Sequence, residues 1–292
     1  MPNSPISHSI ISLGEVLWDL FPDESRFGGA AANFACHASL LGGSVTMLSA
    51  IGMDARGEEA LRTLERFRVN TSLIQRIANA ETGTVGVTVD RHGKPSFVIH
   101  ADAAWDHLAW SPEFEMIITQ ADAIYFGTLC QRCPISRTTI RQALAIAKKH
   151  DVRRVLDVNL RSPYFDDEMI RDSISLASIL KLSDEEFPLV ASACGIVEHS
   201  DHETALRSLL NRFELDLVAM TRGAEGAMLV TADKTIEQPG VPVVVCDTVG
   251  AGDAFTAALT IAICSEESIR TIGMISCKVA SAACEYAGAI PT

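Results

Sequence analysis

Positively charged side chains are scarce in this chain of 292 residues. It has 24 Lys and Arg against 37 Asp and Glu, a formal net charge of -13 at pH 7. Binding to nucleic acid or to an anionic membrane surface needs basic surface, so this balance argues against both kinds of partner. A ligand with several phosphates would need local cations, and the candidates are Arg161, Lys181, Arg222 and a recruited metal ion.

The spacing of a disulfide scaffold is absent, although the chain has eight cysteines. Cys130 and Cys133 form a lone C-x-x-C with no second pair and no thioredoxin-like context, so we interpret them as structural. Met1–Ser9 lacks the apolar core of a signal peptide. The longest run of small apolar residues, Ala254–Cys264, is too short to span a bilayer. These absences predict a reducing, cytoplasmic location and no membrane partner.

Low-complexity linkers and fixed-period repeats are also missing, and glycine and proline are scattered. With 48% hydrophobic residues the chain can bury one large core, so we predict a single domain over residues 1–292. Apolar runs alternate with segments of helical period, which predicts an α/β fold with a mostly parallel sheet. The predicted core strands are Ser9–Gly14, Ser44–Ala50, Ala123–Gly127, Arg154–Val158, Ile179–Leu182, Leu217–Thr221, Gly226–Val230 and Val243–Cys246. The predicted helices include Ala30–Leu41, Gly57–Phe67, Ser136–His150, Asp201–Phe213 and one near Asp184 with an uncertain boundary at Pro188.

A hairpin interrupts this alternation. Thr82–Asp90 alternates as a strand, turns through Arg91–Lys94 and continues as Pro95–His100. We expect Glu15–Leu20 to pair with it in a small antiparallel flap, a lid formed by strands within 15–27 and 82–106. A lid at the carboxyl ends of the main strands could exclude water from a site there; an edge hairpin or a dimer contact is the alternative.

The segment Asp247–Phe255 carries the strongest functional signal. An apolar run precedes two glycines, and a small-residue helix follows with Asp253 in its first turn. Free amides at a helix N-terminus bind phosphate, and glycines let a phosphate approach the backbone. A carboxylate there repels anions, but it suits a base that takes a proton from a nucleophile during phosphoryl transfer. An ordinary strand–turn–helix corner, with Asp253 as a dipole partner, remains open at this point.

This run, Asp-Thr-Val-Gly-Ala-Gly-Asp-Ala-Phe, resembles the C-terminal signature of the ribokinase-like, or phosphofructokinase-B, sugar kinases. Gly28–Ala35 resembles the family's N-terminal Gly-Gly-x-x-x-Asn-x-Ala segment. The resemblance covers nearly the whole chain and implies a three-layer α/β/α fold with a small β-strand lid. It implies Asp253 as the base and the backbone of Gly250, Ala251 and Gly252 as the anion hole.

The resemblance also assigns the acceptor pocket and the phosphate-binding cation. Asp19, Gly28, Gly29, Asn33 and Asp253 contact the sugar by resemblance. Taken alone, Asp19 is better explained as a turn residue and Asn33 as a helix-start partner, but beside the matching signature the sugar contact is favoured. Arg161, in Asp157-Val158-Asn159-Leu160-Arg161, matches the family's Asp-x-Asn-x-Arg, whose Arg neutralises charge between nucleotide and acceptor. A surface Arg is the alternative, but its fixed charge and planar fork suit phosphate oxygens.

The nucleotide and metal sites are implied by two further segments. Lys181–Glu186 resembles the family's Lys-x-Asn-x-x-Glu, with Ser183 in place of Asn, so Glu186 is the metal residue by spacing. Asp184 and Glu185 stay open, and acids after a Ser suit any helix start. Thr221, Gly223 and Gly226 match the family's Thr-x-Gly-x-x-Gly nucleotide loop, with Lys181, Gly250 and Gly252 also on the cofactor. Adenine is expected near 277–287.

The implied activity is phosphoryl transfer from ATP with Mg²⁺, with a monovalent cation such as K⁺ left open. The chain looks most like the fructokinase branch, which implies 6-phosphorylation of fructose; ribose, 2-keto-3-deoxygluconate, a nucleoside, or sugar binding without turnover are alternatives. Trp105, between Asp102 and Asp106, either stacks on the sugar or anchors a hinge. Some members of the family dimerise through the lid.

Overall fold

The computed structural model describes residues 7–89, 95–196 and 201–291. Its strands are β1 Ser9–Leu13, β2 Leu17–Leu20, β3 Ser25–Gly28, β4 Ser44–Leu48, β5 Ala50–Gly52, β6 Gln75–Ile77, β7 Gly83–Val89, β8 Pro95–Ile99, β9 Ala123–Gly127, β10 Arg153–Asp157, β11 Ile179–Ser183, β12 Leu217–Thr221, β13 Ala227–Val230 and β14 Thr235–Gln238. Its helices are α1 Ala30–Leu40, α2 Ala55–Arg66, α3 Pro112–Ile118, α4 Pro134–Lys149, α5 Asp167–Leu176, α6 Phe187–Ala193, α7 His202–Arg212, α8 Ala251–Cys264 and α9 Ile269–Ala283.

An eight-stranded sheet in the order β14-β13-β12-β11-β10-β9-β1-β4 forms the centre. The strands from β12 to β4 pair in parallel, whereas β13 and β14 pair antiparallel at one edge. Parallel strands are covered on both faces, which explains their runs of consecutive apolar residues, as in Ala123–Gly127 of β9. The predicted α/β class is confirmed, and each predicted core strand except Val243–Cys246 is found with ends within two residues.

Helices cover both faces of this sheet. On one face, Ile124 and Phe126 of β9 pack in a cluster that includes residues of α4, α5 and α7. On the other face, Tyr125 of the same strand packs with α1, and neighbouring strands pack with α8 and α9. Successive side chains of a strand point to opposite faces, so one apolar run serves both cores. The result is a three-layer α/β/α arrangement. No helix within the described residues is long and apolar enough to cross a bilayer.

A second sheet, in the order β3-β2-β7-β8, forms the lid. β7 and β8 pair antiparallel as the hairpin pattern predicts, while the predicted turn at 91–94 lies outside the described residues. The expectation of an antiparallel flap is wrong for one pair, because β2 and β7 run parallel. The chain passes through β4 and α2 between these strands and re-enters in the same direction. β2 starts at Leu17 rather than Glu15, whose side chain accepts a hydrogen bond from the Ala30 amide.

The predicted strand Val243–Cys246 is wrong. The main sheet ends at β14, and the chain then follows the surface with Val244 86% exposed. Pro239 and Pro242 offer no amide hydrogen to a sheet ladder. The Cys246 amide donates instead to the Cys284 carbonyl oxygen at 2.8 Å. An apolar sequence alone does not make a strand without a neighbouring edge to pair with.

Candidate active site

Asp253 lies in the first turn of α8, and this helix begins directly after a residue in the left-handed conformation. Gly250, at φ +80°, caps the helix and lets the chain reverse into it, a conformation that glycine adopts without penalty. The amides of Gly252 and Asp253 have no acceptor among the described residues. Together with the positive end of the helix dipole, they form a site suited to an anionic group.

Asn33 holds the Asp253 carboxylate in place. Its Nδ2 donates to Asp253 Oδ2 at 2.8 Å, which joins two segments separated by 220 positions in the sequence. Asn33 is buried, and its Oδ1 has no hydrogen-bond partner in the described part of the chain. A buried amide oxygen without a partner is costly in the free protein, and a hydroxyl of a bound ligand could satisfy it.

The environment of Asp253 favours its protonated form. Removal from water, followed by the negative charge of Asp157, raises the pKa of Asp253 to about 7, against the lowering effects of Asn33, Lys181 and Arg161. A carboxyl that titrates near neutral pH can accept a proton in catalysis, because its proton affinity matches the operating pH. This separates Asp253 from an ordinary helix-start acid.

A buried ion pair between Lys181 and Asp157 packs against the first turn of α8. Lys181 Nζ on β11 lies 3.0 Å from Asp157 Oδ1 on β10, and Thr256 Oγ1 on α8 donates to Asp157 Oδ2 at 2.9 Å. A Cβ atom added at Gly252 would lie 3.2 Å from Lys181 Nζ, so the ammonium reaches the glycine turn. Burial alone would lower the pKa of Lys181, but Asp157 and Glu186 raise it, so the side chain stays charged.

At the start of α1, the backbone of Gly28 and Gly29 packs closely against Asp19 and Glu15. A Cβ at Gly28 would lie 2.8 Å from Asp19 Oδ2, and a Cβ at Gly29, where φ is +102°, would lie 2.7 Å from the Glu15 carbonyl oxygen. Only glycines allow this close approach. Burial raises the pKa of Asp19 to about 6, opposed by the charges of Arg161 and Arg26. Burial also raises the pKa of Glu15.

Arg161 supplies the cation that these acids share. It follows β10, and its guanidinium donates to the Leu160 carbonyl oxygen at 3.0 Å. No carboxylate of the described residues pairs with it directly, yet its charge lowers the pKa values of Glu15, Asp19 and Asp253. An exposed arginine between three acids can accept a negatively charged ligand group, because its own charge is not consumed by a partner.

Glu186 joins the Arg161 loop to the end of β11. Its Oε1 accepts the Leu160 amide at 2.7 Å, and its Oε2 accepts the Ser183 amide at 2.8 Å. Ser183 Oγ in turn accepts the Glu186 amide at 3.2 Å, so the acid also has the local bracing role expected before a helix. α6 starts at Phe187 with Pro188 in its first turn, a position where proline costs no hydrogen bond.

The Thr221–Gly226 loop lies on the same sheet edge but does not contact Asp253. Thr221 pairs with Ser183 in the register of β12 with β11, and the Asp184 amide donates to the Thr221 carbonyl oxygen at 2.9 Å. Gly223 has open space around the position of a Cβ. Arg222 forms an ion pair with Glu237, so it is a poor candidate for free positive charge.

The structure decides between the two interpretations of Trp105. Its ring is fully buried, and the Arg132 guanidinium stacks over it at 4.0 Å from the ring centroid. Asp106 is also buried and forms an ion pair with Arg132. Stacking of Trp105 on a sugar is therefore wrong, and the anchor at the base of the lid is the better description.

Cys130 and Cys133 are free cysteines, and no metal-binding group of three ligands occurs in the described ranges.

The sequence reasoning missed Glu15, Thr256 and Asp247 as parts of the site. Glu15 Oε1 accepts the Ala30 amide at 2.9 Å at the start of α1. Asp247 Oδ2 lies 3.5 Å from Arg26 Nη1 of the lid and accepts the Gly288 amide at 3.0 Å. An acid inside the apolar stretch Leu13–Leu17 was a usable signal for Glu15. The contacts of Asp247 depend on distant segments and left no local pattern.

Comparison with known proteins agrees with this arrangement. A family model described as pfkB family carbohydrate kinase matches residues 11–292. The chain belongs to the pfkB family of carbohydrate kinases. It is 31% identical over 257 residues to a fructokinase of Klebsiella pneumoniae, covering 85% of this chain and 81% of that protein.

Solved structures of pfkB kinases share this fold. A sugar kinase of Pyrococcus horikoshii in complex with ATP superposes with a TM-score of 0.81 at 28% identity, covering 96% of this chain and 93% of that one. A fructokinase of Xylella fastidiosa with bound ATP superposes with a TM-score of 0.85 at 22% identity, covering 96% and 93%. The ribokinase-like fold and a sugar kinase activity are thereby established for this chain.

Proposed function

We propose that this pfkB kinase transfers the γ-phosphoryl group of ATP to a primary hydroxyl of a ketohexose, with fructose giving fructose 6-phosphate. The observation that carries the proposal is Asp253, held by Asn33 at 2.8 Å beside two free amides and with a pKa raised to about 7. The names of the Klebsiella pneumoniae and Xylella fastidiosa relatives support fructose, and the bound ATP of the latter supports the donor.

The sugar is held between the lid and α1. Asp19 accepts hydroxyl hydrogens, and the unpartnered Asn33 Oδ1 accepts another. The backbone at Gly28 and Gly29 allows a sugar to approach closely. The lid strands and Arg161 close the opposite side, which keeps water from competing with the sugar hydroxyl.

Phosphoryl transfer then needs one proton acceptor and one set of anion donors. Asp253 takes the proton of the primary hydroxyl, the hydroxyl oxygen bonds to the γ-phosphorus, and the bond from that phosphorus to the β,γ-bridging oxygen breaks, so that ADP leaves. In the Gly250–Asp253 turn the free amides of Gly252 and Asp253 stabilise the charge on the transferring group, and the backbone of Gly250 and Ala251 shapes this anion hole. Arg161 neutralises charge between the nucleotide and the sugar.

Lys181 acts from beneath this turn. Its ammonium lies close to Gly252, where it donates to an anion bound at the turn, and the pairing with Asp157 fixes its position. Thr221, Gly223 and Gly226 line the path of the phosphates and ribose, at the ends of β12 and β13. The exposed Val244 and Val245 are tied to the end of α9 by the bond from the Cys246 amide to Cys284, and adenine fits between these apolar surfaces.

The residues present suit a hydrated Mg²⁺. Glu186 Oε2 accepts both the amide and the hydroxyl of Ser183, whereas among the described residues Oε1 accepts the Leu160 amide alone, which leaves a lone pair for a water molecule of the ion. Bound there with the nucleotide, Mg²⁺ neutralises charge on the phosphates. Glu186 also anchors the Leu160 amide next to Arg161, so it orients the cation of the site.

We extend the proposal to a single domain and to a homodimer paired through the lid. Light scattering would test the homodimer.

An ADP-release assay across a panel of sugars tests the function. The panel contains fructose, ribose, 2-keto-3-deoxygluconate, adenosine and glucose, each with ATP and Mg²⁺, and phosphorus NMR locates the new ester. We expect the highest kcat/KM with fructose and a 6-phosphate product. A higher kcat/KM with another sugar would replace the substrate, and release of ADP that no sugar stimulates would contradict the proposed reaction.

A further inference from the structure

The anion-hole turn is the segment Gly250–Asp253. Two side chains on one face of α1 contact Asp253 at one end of this turn and the segment that packs against Gly250 at the other end. Asn33 and His37 are four residues apart, so they lie one above the other on the same face of the helix. Asn33 bonds directly to Asp253. His37 Nε2 bonds to the carbonyl oxygen of Ala289 at 2.8 Å. α1 therefore contacts both the base and the segment that lies behind Gly250.

The segment 284–291 packs tightly against Gly250. A Cβ at Gly250 would lie 2.6 Å from Ala289 Cα and would also collide with the Ala289 carbonyl oxygen. Gly288 donates its amide to Asp247 Oδ2 at 3.0 Å, and the amides of Cys246 and Asp247 donate to the Cys284 carbonyl oxygen. The C-terminal segment thus forms one wall of the turn, and its position limits where the free amides of α8 can point.

The chemistry of the His37 contact is unambiguous. A carbonyl oxygen only accepts, so Nε2 carries the hydrogen and donates it. His37 is 5% exposed and Ala289 is 6% exposed, so no bulk water replaces this bond if it is lost. Burial lowers the pKa of His37, which keeps the imidazole neutral in this tautomer.

We propose that His37 is a positioning residue for phosphoryl transfer, which holds Ala289 against Gly250 and so fixes the anion-hole amides of α8. The inference rests on the proposed function, because those amides matter only if an anion develops there. His37 acts through Ala289 and touches neither sugar nor nucleotide in this account. Its effect should therefore fall on the step in which negative charge develops, and binding of the sugar should change little.

Two substitutions at His37 and one control on the same helix test this. His37→Leu fills similar space without a donor, whereas His37→Gln places an amide N–H near the position of Nε2. Ser39→Ala removes a comparable bond from α1, from Ser39 Oγ to the Phe67 carbonyl oxygen at 2.6 Å, on the side away from α8. All three are compared with the wild type in kcat, sugar KM and thermal unfolding.

We expect His37→Leu to lower kcat about tenfold with sugar KM within about twofold, as expected when a buried acceptor loses its partner and an interaction specific to the transition state weakens. His37→Gln should keep most of the wild-type kcat, and Ser39→Ala should lose stability without losing kcat. Wild-type kcat in His37→Leu, an equal loss in His37→Gln, or an equal loss in Ser39→Ala would overturn the proposal.

Hydrogen exchange separates this inference from the proposed reaction. In the full chain, His37→Leu should speed exchange of the hydrogen-bonded amides in 250–254 and 285–290, while Ser39→Ala should leave those amides at the wild-type rate. This result holds whether or not a sugar is phosphorylated. Unchanged exchange in His37→Leu would reject the positioning role, whereas absence of sugar-dependent turnover in the wild type would reject the reaction and leave the exchange measurement to decide on His37.

Discussion

Asn33 Nδ2 donates to Asp253 Oδ2 at 2.8 Å and thereby fixes the carboxylate that faces the free amides of α8. The same bond favours the charged form of Asp253, so it opposes the burial that leaves the pKa of this carboxyl at about 7. One side chain of the N-terminal signature therefore affects both the position and the proton affinity of the proposed base.

This relationship predicts the pH dependence of the reaction. A base works as the carboxylate, so kcat/KM should rise with pH through an apparent pKa of about 7 and level off above it. In Asn33→Ala the charged form loses a hydrogen bond, so the rising limb should move to higher pH. Sugar KM should also rise, because the Oδ1 acceptor is gone. A limb that stays in place or moves to lower pH would contradict this role of Asn33.

The buried pair of Lys181 and Asp157 should dominate local stability. Their side chains are 7% and 1% exposed, so Lys181→Met leaves Asp157 as a buried charge without its partner. We expect a loss of about 3–5 kcal/mol in the free energy of unfolding, measured with urea. The double variant Lys181→Met with Asp157→Asn should recover part of that loss.

The exposed pair of Arg62 and Glu59 provides the matched control for that measurement. It has the same charge types as the buried pair, but both side chains are largely in water. Arg62→Met should change stability little, because exposed ion pairs contribute little. Equal losses in Lys181→Met and Arg62→Met would show that the buried pair has no special part.

A third prediction concerns contact between the lid and the segment that leads into the anion-hole turn. Arg26 Nη1 on β3 lies 3.5 Å from Asp247 Oδ2, and Arg26 is opposite Asp19 in the register of the lid. Arg26→Met should raise sugar KM by up to about fivefold, since a partly exposed pair is worth at most about 1 kcal/mol. The difference from the wild type should shrink at high salt.

Glu24→Gln separates this contact from order within the lid. Glu24 also pairs with Arg26, but it belongs to the same lid segment and, within the part of the chain that the structure describes, its side chain forms no hydrogen bond or ion pair with the body of the molecule. We expect Glu24→Gln to keep sugar KM near the wild-type value. A rise in KM as large as that of Arg26→Met would assign the effect to the lid itself rather than to Asp247.

The fold was predictable because its signals are local and repeated. Local sequence is enough to predict β9 and β12 from their apolar runs, and the turns at Gly28 and Gly250 from their glycines. The two signatures predict that Asn33 and Asp253 lie together. The parallel pairing of β2 with β7 was not predictable, because it depends on the path of the chain between them. The predicted strand Val243–Cys246 is wrong because an apolar run does not indicate whether a sheet edge is available to pair with it.

Several site contacts depend on segments that no local pattern connects. Glu15 precedes β2 and bonds to the start of α1, while His37 and Asp247 bond to the C-terminal segment. Each of these residues looks ordinary in its own stretch of sequence. Their importance follows from burial and partners, which exist only after the layers have packed.

Asp253→Asn is the most direct measurement of the central claim. The amide has nearly the same shape but cannot accept the proton as a carboxylate does, so kcat for fructose phosphorylation should fall by about three orders of magnitude or more. Fructose binding, followed by calorimetry without ATP, should stay within a few fold of the wild type. Equal turnover in Asp253→Asn and the wild type would contradict the assignment of Asp253 as the base.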